Sequence, residues 1–257
     1  MNDEDLKELA AALKNIRYPK GMIRPIYTEI AGRGYYPAFK GFENGADPHG
    51  GIMFLNRDFG GIDYYTELSS EYQRTGCPVK ERMHTWNQTE DLYLPGLSSI
   101  PVWLTNYLMG VRDRELMEAI KKASEKNLKA TTNVKTWIPE SEWAAYESDC
   151  WAFFLKQVNK QRPRVIAVFG RYNREDLFQD GRLGHKGKAE KEFELKFKFN
   201  EGEPHTCWII HGRHPSSVAK GEKSKSSIRN VILKRIRELY SVSESAPGKC
   251  LKSEAAS

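Results

Sequence analysis

Apolar residues recur along this chain in two rhythms, short continuous runs and helical stripes, and the two alternate. Residues 3–17 carry Leu6, Leu9, Ala10, Leu13 and Ile16 at helical spacing, and Tyr18-Pro19-Lys20-Gly21 ends the pattern. Residues 21–50 are rich in Gly, Pro and Tyr without a period, which predicts an irregular wrap over the core or part of a site. Residues 51–55, Gly-Ile-Met-Phe-Leu, form a short apolar run, as expected of a strand buried on both faces, and the run stops at Asn56-Arg57-Asp58-Phe59-Gly60-Gly61. Residues 62–85 are polar and fit no template, whereas 85–94 predict a helix closed by Pro95-Gly96. Val102-Trp103-Leu104-Thr105 predicts a second buried strand, ending in Asn106.

Two helical stripes follow. Residues 114–128 place Leu116, Met117, Ile120, Ala123 and Leu128 on one side. The next helix opens at Pro139, a residue suited to a first turn, and carries Trp143, Tyr146, Cys150, Phe153, Phe154 and Val158. Residues 164–169 read as a third buried strand closed by Gly170. In the lysine-rich stretch 181–204, Phe193, Leu195, Phe197 and Phe199 alternate strictly, which predicts a half-buried strand in an insertion or edge hairpin. A last run, 205–211, ends in Gly212-Arg213-His214-Pro215-Ser216-Ser217-Val218, and 226–240 predict a closing helix with Ile228, Val231, Ile232, Arg235 and Leu239 at helical spacing. The Ser/Ala/Gly/Lys-rich tail 241–257 is expected to be disordered. Four buried runs separated by helices predict an α/β fold, a three-layer α/β/α sandwich with a four-stranded, mainly parallel sheet plus the lysine-rich edge insertion. The expected organisation is an N-terminal helix and lead-in over 1–24, one domain over 25–240 with its insertion at 181–204, and the tail.

Bulk composition narrows the class. At 257 residues, 39% hydrophobic and 29% charged, the chain can bury a sizeable core, and no apolar run approaches the roughly 20 residues of a membrane span. The acidic start, Met1-Asn2-Asp3-Glu4-Asp5, does not fit a secretory signal, so an intracellular protein is expected, cytoplasmic if bacterial. Cys77, Cys150, Cys207 and Cys250 lie far apart with no Cys-x-x-Cys pair, which argues for reduced thiols and against a zinc ribbon or iron–sulfur cluster. The net charge of +6 is uneven: residues 160–240 hold 19 Lys and Arg against 10 Asp and Glu, a surplus of nine, and the rest of the chain is mildly acidic. That asymmetry fits a polyanion partner and equally a solvated basic face.

The candidate chemistry sits just after the apolar runs: Asp58 after the first, Asn106 after the second, His214 after the last. Parallel strands deliver their carboxyl ends to one edge, so these three can converge on a cleft. A carboxylate can position water or face a developing cation, a carboxamide can read a base edge, and an imidazole can donate to a developing anion. Taken singly, each has a plainer reading: a turn residue for Asp58, a cap for Asn106, a loop histidine for His214.

Together, Leu55-Asn56-Arg57-Asp58-Phe59-Gly60, Leu104-Thr105-Asn106 and His214-Pro215-Ser216-Ser217-Val218 resemble the motifs of the uracil-DNA glycosylase superfamily, in the same order, over residues 25–240 without the insertion. The resemblance implies a monofunctional, monomeric hydrolase of N-glycosidic bonds. It would act in base excision repair on uracil or a related damaged base flipped out of DNA, with no metal or organic cofactor and no membrane partner. Asp58 then falls where the uracil-specific branch has the Asp of Gly-Gln-Asp-Pro-Tyr, orienting water and stabilising the sugar cation. Asn106 falls on the Asn that reads the base edge, and His214 on the His that stabilises the departing base anion. Arg57, Phe59 and Gly60 would border the base, with Tyr72 or Tyr65 stacking on it. Ser216 and Ser217 match the part of the loop that pinches phosphates, Val218 matches the duplex wedge, and Arg213 and Lys220 would neutralise further phosphates. The chain departs from the pattern at Asn56, in place of the motif's first Gly, and at Phe59, in place of its Pro. Gly60 stands where the uracil-specific branch has the Tyr that excludes thymine, and is similar to the Gly-Ile-Asn-Pro-Gly turn of the mismatch-specific branch. Two other readings remain: a catalytically silent nucleic-acid-binding member of the fold, and a hydrolase of small nucleosides or nucleotides.

Overall fold

The four buried apolar runs do form one sheet. A computed structural model of the chain describes residues 3–24, 28–30, 33–35, 50–57, 102–125, 134–169, 182–183 and 192–212, with the single positions 177, 234 and 238. The strands of the sheet are β4 (Ile52–Asn56), β5 (Val102–Asn106), β7 (Val165–Phe169), β8 (Glu192–Phe197) and β9 (His205–Gly212), in the order β5-β4-β7-β9-β8. β5, β4, β7 and β9 are mutually parallel, and β8 joins the edge antiparallel to β9. The sheet therefore has five strands, mostly parallel. β8 and β9 form the edge hairpin that the alternation in 192–199 predicts, with Phe193 and Phe197 buried and Glu194 and Lys196 exposed.

Every position of β4 and β7 is buried, so both faces of the sheet's centre are shielded from water. On one face, Met53, Leu55, Ile166, Val168, Cys207 and Ile209 join a core with helices α1 (Asp3–Leu13) and α3 (Glu140–Gln161). α3 is long because its sequence repeats apolar residues every three or four positions. Trp143, Tyr146, Cys150, Phe153, Phe154 and Val158 all turn inward. Each buried Phe contributes roughly 1.5–3 kcal/mol relative to exposure. Pro139 occupies the N-cap, one place ahead of the expected first turn, and its carbonyl accepts from Trp143 N at 2.9 Å. The helix ends at Arg162, left-handed at φ 49°, because Pro163 forbids continuation; the guanidinium offsets the strain by donating to Glu203 O at 2.6 Å. Lys160 Nζ ties α3 to α1 through Glu8 at 2.6 Å and Asp5 at 3.0 Å.

α2 (Arg114–Glu125) starts where the stripe predicts, with Asp113 Oδ1 accepting from Leu116 N at 2.8 Å as its cap; residues 126–128 of the expected helix lie outside the described residues. The expectation of irregular chain over 21–50 needs correction. β1 (Met22–Ile23) pairs antiparallel with β6 (Val111–Arg112), and β2 (Thr28–Ile30) pairs with β3 (Arg33–Tyr35). Strands of two or three residues are too short to display a period, and a distant partner such as β6 defines them. Gly110, just before β6, approaches so closely that a Cβ there would lie 2.5 Å from Tyr146 Oη. Lys234 and Glu238, both helical and one turn apart, belong to the stretch expected to form the closing helix. The expected helix 85–94 and the tail 241–257 fall outside the described residues.

Candidate functional site

The register of the parallel strands builds the candidate site's edge. Leu55 is the Cα partner of Thr105 and of Val168, and Val168 is the partner of His211. One residue further on, Asn56 pairs with Asn106 and Phe169 with Gly212, so these four end their strands in a single row. At about 4.8 Å per strand, that row spans about 14 Å, wide enough for a nucleotide. In sequence, Asp58 follows Asn56 by two positions and His214 follows Gly212 by two. Asp58, Phe59, Gly60, Tyr65, Tyr72, Arg213, His214, Ser216, Ser217, Val218 and Lys220 themselves lie outside the described residues. Of the sequence-derived candidates, Asn106 and Arg57 are described.

Alternation along the strands sets which way these residues face. Thr105 is buried and its Oγ1 donates to Gln157 Oε1 of α3 at 2.9 Å, while Leu55 packs in the α3 core. Asn56 and Asn106, one step on, therefore both face away from α3. On that same face the rings of Phe54 and Phe169 stack at 5.6 Å, giving the row an apolar floor. Asn106 is partly exposed, whereas Asn56 is only 6% exposed and its Oδ1 accepts no hydrogen bond among the described residues. An unmade buried acceptor costs about 1–3 kcal/mol, so this one calls for a physical account.

Behind Asn106 the chain is held rigidly. Tyr107 N donates to Asn56 O at 2.8 Å and Leu108 N to Arg57 O at 2.7 Å, which extends the β4–β5 ladder past both strand ends. The Arg57 carbonyl is thus committed to holding β5. Met109 N donates to Cys150 Sγ at 3.4 Å; burial pushes that thiol up to about 12, so it is a neutral acceptor and no nucleophile. Arg182, from the lysine-rich stretch, donates to Tyr107 Oη and faces the carboxylate of Glu147, with 3.4 Å separating NH1 from Oε1. Glu147 is buried on α3. Sequence reasoning missed this Tyr107–Arg182–Glu147 group because its members are far apart and none belongs to a motif. It treated Asn56 only as a departure from a motif, although both β4 and β5 visibly end in Asn after an apolar run.

Comparison of the chain with protein-family models and with curated proteins finds no match.

Proposed function

We propose that this protein is a DNA glycosylase that hydrolyses the N-glycosidic bond of uracil or a related damaged base flipped out of DNA. The observation that supports it best is the row of four parallel strand ends. Asn106 stands in it, and in sequence Asp58 and His214 each follow one of its members, Asn56 and Gly212, by two positions. A three-layer α/β/α sandwich goes with this reading, and the burial of both faces of the sheet's centre is in accord with it.

In this reading the target nucleotide leaves the base stack at a cost of a few kcal/mol, which a mispaired base lowers. Asn106 then reads the base edge through its paired donor and acceptor. Asp58 faces the sugar, where it orients water and stabilises the positive charge that grows as the bond to the base breaks. His214 donates to the base as it departs with the bonding electron pair, and preorganised donors of that kind are worth roughly 10²–10³ in rate. Ser216, Ser217, Arg213 and Lys220 hold phosphates, and Val218 fills the gap left in the duplex. The net charge of the 160–240 segment suits a polyanion and predicts binding that weakens steeply with salt.

The test is a base-release assay on labelled oligonucleotides carrying uracil, hypoxanthine, ethenocytosine or thymine opposite guanine. Wild type should release at least one of them, and Asp58→Asn, Asn106→Ala and His214→Ala should each lower that rate by roughly a hundredfold or more. Wild type that binds DNA and releases none would replace this reading with the silent binder. Release from free nucleosides, together with indifference to Val218→Ala, would replace it with the small-molecule hydrolase.

A further inference from the structure

We propose that Asn56 is a second base-reading residue, its Oδ1 accepting the ring N–H of the flipped base beside Asn106; this rests on the glycosylase reading above. Asn56 interrupts the apolar run of β4 at a position that is 6% exposed. An aliphatic side chain there would complete the run with no polar atom to satisfy. Oδ1 instead stays buried and accepts no hydrogen bond among the described residues. A polar group kept at a loss of stability, in the row of strand ends, marks a place where a ligand supplies the missing partner.

The register says what kind of ligand. Asn56 and Asn106 are Cα partners on neighbouring strands and face the same side of the sheet. Each carboxamide offers one acceptor oxygen and two N–H donors, and neither carries charge. Two such groups side by side suit a neutral edge in which a carbonyl and a ring N–H adjoin. Uracil and hypoxanthine present that edge. In ethenocytosine the ring nitrogen is alkylated, so Asn56 Oδ1 would stay unpaired. The pair therefore sets a preference among lesions, with Asn56 selecting for the N–H.

The experiment separates this assignment from the reading beneath it. Release of uracil by wild type tests the glycosylase reading alone. Binding of free uracil and of 3-methyluracil, which has a methyl group in place of the N–H, is then compared on wild type and Asn56→Leu by ligand-observed NMR. Wild type should prefer uracil by roughly tenfold or more, the effect of one buried hydrogen bond, and Asn56→Leu should bring the ratio near one. The Tm of Asn56→Leu should equal or exceed that of wild type, since an unpaired acceptor is exchanged for an apolar group of similar volume. Asn56→Ala is read the same way should the leucine variant not fold. Equal binding of the two bases by wild type, or a preference that survives in the variant, overturns the assignment. No uracil release, with the binding preference intact, would sink the glycosylase reading while supporting the carboxamide pair as a base-binding element.

Discussion

Replacing Arg182 by Met should destabilise the protein by about 2–3 kcal/mol, mostly through what it leaves behind. The Arg182 guanidinium stands 3.4 Å from both Glu147 oxygens and also donates to Tyr107 Oη. Glu147 is buried, and the guanidinium beside it balances the charge of its carboxylate. Breaking a fully buried pair costs about 3–5 kcal/mol, because one charge is stranded. The Arg182 side chain is 22% exposed against 6% for Glu147, and solvent screening lowers the expectation to about 2–3 kcal/mol. Replacing Glu147 by Leu in the same molecule removes the stranded carboxylate. Arg182→Met/Glu147→Leu should then lie within about 1 kcal/mol of wild type. Urea denaturation of the two single variants and the double variant closes a double-mutant cycle, with an expected coupling of about 1.5 kcal/mol or more. A loss below about 0.5 kcal/mol for Arg182→Met, or a double variant as unstable as the summed singles, would refute the stranded-charge account.

Two further expectations concern the α1–α3 side. Arg17 donates to Asp149 Oδ2 and Oδ1 at 2.8 Å each, and these hydrogen bonds hold the Asp149 carboxyl below its ordinary value of 3.8. The folded value lies below the unfolded one, so the pair stabilises the fold above about pH 4 and that contribution is lost as pH falls through the lowered value. Arg17→Ala should move the Asp149 carboxyl resonance titration upward, and the stability gap to wild type should close in acid; a gap that widens in acid would contradict the sign. Burial holds Cys150 and Cys207 as neutral thiols. Peptide mapping after iodoacetamide treatment of the native protein at pH 8 should find both unmodified, and both modified in urea; labelling at native rates comparable to a free thiol would show that the core opens readily.

Much of the sheet was legible because a strand covered on both faces has to be written as an unbroken apolar run, and 52–55, 102–104, 165–169 and 207–210 are such runs. α3 was legible for the complementary reason: its buried residues keep the helical period over 22 residues. β1, β2, β3 and β6 were not, since strands of two or three residues carry no period and are defined by partners remote in sequence. The edge of the candidate site could be foreseen as a consequence of parallel strands, and Asn106 stands in it. The orphaned acceptor of Asn56 could not be foreseen, because burial of a single polar atom is a property of the surroundings. The same holds for Arg182, whose partners Tyr107 and Glu147 lie 75 and 35 positions away.

The order of strands also dictates when the molecule can become whole. β4 sits inside the sheet yet emerges early in synthesis, whereas β9, the other neighbour of β7, arrives only after some 150 further residues have been made. Until then β7 offers the backbone donors and acceptors of an open border, which another chain's strand can occupy. Contacts so distant along the polymer also form slowly. A nonsense or frameshift lesion anywhere between residues 170 and 205 should therefore yield a sticky fragment instead of a smaller working protein.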